Sequence, residues 1–147
     1  MTTPLNLDFK SAIESSFQKQ NAMDLIRATL VRVEYGCVDI KVAHWPGIEQ
    51  QHGFVHGGVV GMIADSAAGY AAMTVVPPNA SVLTVEYKLN LLAPADGECI
   101  IARGQVVRAG KTLIITKAEV YSTNDGKDIL CALMQQTIMV MHSKVEK

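Results

Sequence analysis

The chain has 147 residues, of which 49% are apolar and 18% charged, with a formal net charge of −1. That balance supplies enough apolar surface for one packed core and excludes an intrinsically disordered chain. A near-neutral chain without a basic run is also a poor match for nucleic acid, although single Lys and Arg residues can still meet a small anion.

The three cysteines, Cys37, Cys99 and Cys131, are scattered and form no CxxC pair. Neither a zinc site nor a disulfide framework is expected, and each thiol reads as buried or half-buried in a reducing compartment. Residues 1–10 contain no apolar stretch of the kind a secretory leader needs, so the expected location is cytoplasmic. No internal repeat or linker is visible. One domain is expected over 1–147, with residues 1–24 as an N-terminal helical extension.

Asp8 or Ser11 stands where a cap belongs, ahead of a short helix to about residue 18 with Ile13 and Phe17 on one face. Residues 28–34 and 37–43 alternate apolar and polar around Tyr35-Gly36, the pattern of a hairpin. Residues 44–55, with Pro46, Gly47 and Gly53, read as a loop. From Gly57 to about residue 75 runs an almost wholly apolar helix, stopped by Pro77-Pro78. About twenty residues are enough to span a bilayer. Asp65 near the centre, the many small residues and the lack of flanking Lys or Arg assign this stretch instead to a protein interior. Three or four long strands follow: 81–91, ended by Ala93-Pro94; 98–108, leading into Ala109-Gly110; 112–122, ended by Asn124-Asp125-Gly126; and 129–141.

A helix that is apolar on nearly every face cannot lie on a surface, and the other elements are almost all strands. The sheet must curl around the helix. The expected fold is therefore α+β: a hotdog arrangement, a curved antiparallel sheet wrapped around one long central helix. It leaves edge strands available for pairing between subunits.

The chemistry-bearing residues cluster at the start of that helix. Gly57 and Gly58 open it, where N–H groups lack intrahelical acceptors and the dipole end is positive. Such a site stabilises a carbonyl oxygen that gains charge during acyl transfer; the glycines alone also fit a tight loop-to-helix turn. Asp65 is costly inside an apolar helix unless it is paired, hydrated or lining a cavity. It reads as a cavity-lining carboxylate that attacks a thioester or deprotonates water, or as an acceptor for a neighbouring strand. Eight residues of helix place Gly57 and Asp65 about 12 Å apart along the axis. If both act on one thioester, Asp65 must come from a second copy, with two equivalent sites in a two-fold dimer.

Val55-His56-Gly57-Gly58, Asp65, and Thr84-Val85-Glu86-Tyr87-Lys88-Leu89 ahead of Leu92-Ala93-Pro94-Ala95 resemble the PaaI-type hotdog thioesterases. The similarity covers about residues 25–141. The resemblance implies hydrolysis of acyl-CoA thioesters without a metal, in homodimers or dimers of dimers; no cofactor is expected, and the charge balance and the helix composition point to no nucleic-acid or membrane partner. Carried over by position, the Gly57 N–H polarises the thioester carbonyl and Asp65 of the partner subunit is base or nucleophile. His56 shapes the loop and contacts the thioester region, or merely caps the helix. Gln50 falls where the family commonly has Asn, one methylene shorter, and positions the thioester or the water. Gly69 offers no hydroxyl where some relatives have Ser or Thr; Thr84 orients a water or is an ordinary threonine. Gly58 lets substrate approach the backbone. Arg108 and Lys111 flank a turn and either meet CoA phosphates or are simply solvated. His44, His52 and His142 have no metal-ligand spacing. Met62, Ile63, Tyr70 and Met73 line the pocket or belong to the core.

Two readings from other classes use the same fold. A non-catalytic acyl-CoA binder or sensor is favoured by loss of the acid, which is present here as Asp65. A hydroxyacyl-thioester dehydratase needs a His and an acid arranged for proton shuffling, and the expected pattern around His56 is missing.

Overall fold

The computed structural model of the chain describes residues 2–142, so Met1 and residues 143–147 of the expected domain lie outside the described residues. Two short helices, α1 (Phe9–Lys19) and α2 (Asn21–Leu25), precede the hairpin of β1 (Ala28–Glu34) and β2 (Cys37–Ala43). The long helix α3 (Gly57–Met73) follows, then β3 (Ser81–Leu91), β4 (Cys99–Ala109), β5 (Leu113–Asn124) and β6 (Lys127–Met141). The six strands of the described residues form one antiparallel sheet in the order β1-β2-β4-β5-β6-β3. The sheet curves around α3, which packs on β2 through β6. This is the hotdog architecture expected from the apolar helix.

Small side chains let helix and sheet close tightly. Ala64, Ala67, Ala68 and Ala71 are fully buried, and a Cβ added at Gly104 of β4 would lie only 2.3 Å from the carbonyl carbon and oxygen of Ala67. The helix backbone therefore rests directly on β4 at Gly104.

α3 ends at Met73, two residues before the expected position, because Thr74 stops it. The Thr74 hydroxyl donates to Ala71 O (2.7 Å) and accepts the Gly36 N–H (2.6 Å), tying the helix end to the β1–β2 turn. At the N-terminal side Asp8 is the cap residue of α1 without a side-chain cap bond; the Ser11 hydroxyl donates to Asp8 O at 3.1 Å.

The helix is not enclosed on every side within one chain. Met62, Asp65, Gly69 and Met73 are half-buried and Gly58 is exposed, all at the spacing of one helix face. Beside that stripe runs the edge strand β3, where Leu83, Val85 and Tyr87 are 56%, 58% and 48% exposed. The other edge is β1. Among the described residues, no helix is long and apolar enough to cross a membrane.

Candidate active site

The loop before α3 is held by its own backbone. Gln50 N–H donates to Phe54 O (2.8 Å), Val55 N–H to Ala95 O (2.9 Å) and His56 N–H to Ile48 O (2.8 Å). The Gln50 side chain joins this turn: its Oε1 accepts the backbone N–H groups of His52 and, at 3.4 Å, Phe54. Those donors fix the amide orientation, so Nε2 is the group left to act outside the turn.

His56 is the N-cap of α3. Its Nδ1 accepts the Gly58 N–H at 2.8 Å, which puts the proton of the neutral ring on Nε2. The Gly58 N–H is thereby used by the protein, whereas among the described residues no acceptor meets the Gly57 N–H. Gly57 and Gln50 line a cavity of about 360 Å³ together with Leu91, Pro94 and Cys131. Cys131 is 1% exposed, and burial raises its thiol above the ordinary value.

Asp65 opens into a different cavity, of about 540 Å³, bounded by α1, α3 and the start of β3. Ser16, Lys19, Gly69, Tyr70 and Met73 line it with Thr84. The ring of Tyr70 stacks at an angle on Phe17, with centroids 6.0 Å apart, which seats α1 against the cavity wall. The Thr84 hydroxyl donates to Asp65 Oδ1 at 2.7 Å, and the Gln136 amide donates to the same oxygen. Thr84 Oγ1 also accepts from Gln136 Nε2 (3.1 Å), and Gln136 Oε1 accepts from the Thr116 hydroxyl (3.0 Å). Asp65 is thus anchored to β3 and β6.

The structure brings Asp65 and Thr84 together, and separately gathers Gln50, His56, Gly57 and Gly58. Among the described residues, Gln50 and Gly57 line one cavity of the chain and Asp65 and Thr84 another. Arg108 lies within β4, paired with Ile115 of β5, and Lys111 in the β4–β5 turn; both are exposed and line neither cavity. Of the expected pocket residues, Tyr70 and Met73 line the Asp65 cavity, while Ile63 is fully buried core. Among the described residues no group of three or more His, Cys, Asp or Glu is placed to hold a metal ion.

Gln136 and Thr116 were not expected from the sequence. Their signal is a polar residue at an inward position of an alternating strand: Ala132, Met134, Ile138 and Val140 of β6 face the core, and Gln136 sits in the same row.

The family model of the Thioesterase superfamily matches residues 52–129, a segment that holds Gly57, Asp65 and Thr84. A crystal structure of a thioesterase family protein from Silicibacter pomeroyi is 36% identical, with a TM-score of 0.89 over 91% of this chain and 98% of that one. The 1,4-dihydroxy-2-naphthoyl-CoA hydrolase of Listeria monocytogenes is 25% identical over 108 residues, 74% of this chain and 86% of that protein. The E. coli PaaI protein from the phenylacetic acid degradation operon shares the fold, with a TM-score of 0.83 at 15% identity over 97% of this chain and 99% of that one. With more than half of its residues matched by the family model, this chain belongs to the thioesterase superfamily and carries its hotdog fold.

Proposed function

We propose that the chain is an acyl-CoA thioesterase, hydrolysing an acyl- or aryl-CoA thioester to the free acid and CoA at sites shared across a homodimer or a dimer of dimers. One observation carries the reading: the free Gly57 N–H and the anchored Asp65 carboxylate occupy separate cavities of one chain, yet both belong to the incompletely covered helix α3. Two α3 helices running antiparallel about a two-fold axis bring Gly57 of one copy to Asp65 of the partner subunit. The exposed apolar edge of β3 is then covered by the same edge of the second copy, continuing the sheet.

In this arrangement the Gly57 N–H and the positive end of α3 hold the thioester oxygen as it gains charge. The Gly58 N–H is taken by His56, so Gly58 contributes close backbone approach rather than a second donor. The Gln50 amide nitrogen holds the thioester or the incoming water. Asp65 removes a proton from that water as it bonds to the carbonyl carbon; the tetrahedral oxyanion then collapses, the C–S bond breaks, and the thiolate leaves as CoA after taking the proton. Direct attack by Asp65 gives a mixed anhydride and the same products after hydrolysis. Thr84 holds the carboxylate, and Arg108 and Lys111 meet the CoA phosphates at the surface. The CoA thioester substrate in the name of the Listeria relative supports the substrate class.

The test is free-thiol release from a panel of aromatic and straight-chain acyl-CoAs by the native protein and Asp65→Asn, with mass measured in solution. The expected result is turnover that collapses in a folded, dimeric variant. Saturable acyl-CoA binding without turnover in either protein supports the sensor instead, and turnover unchanged by the substitution overturns the mechanism.

A further inference from the structure

We infer that Gln136 is a positioning residue for the reaction: it holds the Asp65 carboxylate by one oxygen and leaves the other for the reacting water or thioester. The inference rests on the thioesterase reading above and adds a residue to it. Gln136 is 1% exposed, in the middle of β6, opposite Tyr87 of β3 and Thr116 of β5. A fully buried amide is costly unless each polar atom is met, and here each is.

The proton positions follow from chemistry. An ionised carboxylate can only accept, so the Gln136 atom facing Asp65 Oδ1 must be Nε2. Oε1 then faces Thr116, whose hydroxyl must donate across 3.0 Å. Thr84 Oγ1 accepts from Gln136 Nε2 at 3.1 Å and so directs its own proton to Asp65 Oδ1 at 2.7 Å. Each member has one role, and reversing any of them leaves a donor facing a donor or an acceptor facing an acceptor.

Two donors therefore meet at Oδ1, and among the described residues none meets Oδ2. A carboxylate on a helix turns about its side-chain bonds unless something holds it. Thr84 alone comes from the sheet edge; Gln136 comes from the strand inside it, itself braced by Thr116 of the next strand. The chain Thr116–Gln136–Asp65 links three elements, β5, β6 and α3, and fixes where Oδ2 stands. Gln136 itself lines neither cavity, so its effect reaches the chemistry only through Asp65 and Thr84.

The experiment compares steady-state and single-turnover thiol release for Gln136→Met, which keeps length and volume but removes the amide, and Thr116→Val, which removes only the brace. Thermal denaturation of each variant accompanies the kinetics. Gln136→Met should lower kcat on the order of tenfold to a hundredfold, the cost of a misplaced reacting group, while KM changes by less than about twofold. Thr116→Val should lower kcat less, with KM again unmoved. In the Asp65→Asn background, Gln136→Met should cause no further loss, since the group it positions is already gone. If Gln136→Met does not fold, Thr116→Val carries the test alone.

Full kcat in the folded variants, a loss confined to KM, or an equal additional loss in the Asp65→Asn background overturns the inference. Those outcomes are distinct from failure of the underlying reading, which would appear as Asp65→Asn retaining native turnover.

Discussion

Replacing Gly57 by proline removes one N–H and little else. Gly57 is the first residue of α3, where the N–H has no intrahelical acceptor and proline is well tolerated. His56 sits at φ −58 and ψ 134, already in the extended region that a following proline requires. A Cβ at position 57 meets Leu91 Cδ1 at 2.8 Å, the end of a flexible side chain that can turn aside. Stability should therefore change by less than about 1 kcal/mol. Catalysis should not survive as well: removal of one oxyanion donor costs about 10²–10³ in kcat, about 2.7–4 kcal/mol. Gly57→Ala is the matched control, because it makes the same Leu91 contact and keeps the N–H. The assay is thiol release from the best acyl-CoA of the panel, with thermal denaturation of all three proteins. A proline variant whose kcat stays within about threefold of the alanine variant refutes the assignment of that N–H to the thioester oxygen.

Three further outcomes follow from the packing. Gly104→Ala drives a carbon to 2.3 Å from the Ala67 carbonyl, where ordinary carbon contacts are about 3.5–4.0 Å. Overpacking of this kind should cost about 1–3 kcal/mol and lower Tm by about 2–4 °C for each kcal/mol; calorimetry showing no drop contradicts the close helix–sheet approach. A Cβ at Gly69 meets nothing within 4 Å, and the rest of a Gly69→Leu side chain would extend into the Asp65 cavity that Gly69 lines. The variant should fold normally and shift kcat/KM toward shorter acyl groups by about tenfold, and an unchanged acyl-CoA profile would place the acyl group elsewhere. Cys131, whose thiol is raised by burial above its ordinary 9.0, stays protonated in the native state where the unfolded chain ionises. Its contribution to stability is full below pH 9.0 and is lost as pH rises toward the native value, by at most about 1.4 kcal/mol per pH unit. Urea titrations above pH 9.0 should slope less steeply for Cys131→Ala, and identical slopes would argue against a buried thiol.

The punctuation residues made most of the fold legible. Tyr35-Gly36 and Ala93-Pro94 bounded strands that form at the expected residues, and Pro77-Pro78 placed the end of the helix within two residues. The β5–β6 turn proved tighter than read. Asp125 and Gly126 take φ of 49° and 74°, the two left-handed positions of a two-residue hairpin, so Asn124 and Lys127 already pair across the ladder. The five residues of α2 carry no periodicity to read. In the site, Asp65 announced itself as a charge in an apolar run. Its anchor Gln136 did not: Gln135 and Gln136 are neighbours, and only the strand register decides which of two identical side chains faces the helix. The cap formed by His56 and the turn closed by Gln50 depend on backbone directions that residue identity alone leaves open.

The separation of Gly57 and Asp65 into different cavities has a consequence for mixtures of damaged chains. On the shared-site arrangement, Gly57→Pro and Asp65→Asn subunits are each inactive as homodimers. A dimer made of one of each concentrates both defects in one site and leaves the other site whole. Random exchange of equal amounts makes about half of all dimers mixed, so about a quarter of native activity should return from two dead preparations. Two inactive alleles would then complement each other in one cell, and the recovered rate would report how freely the subunits trade partners.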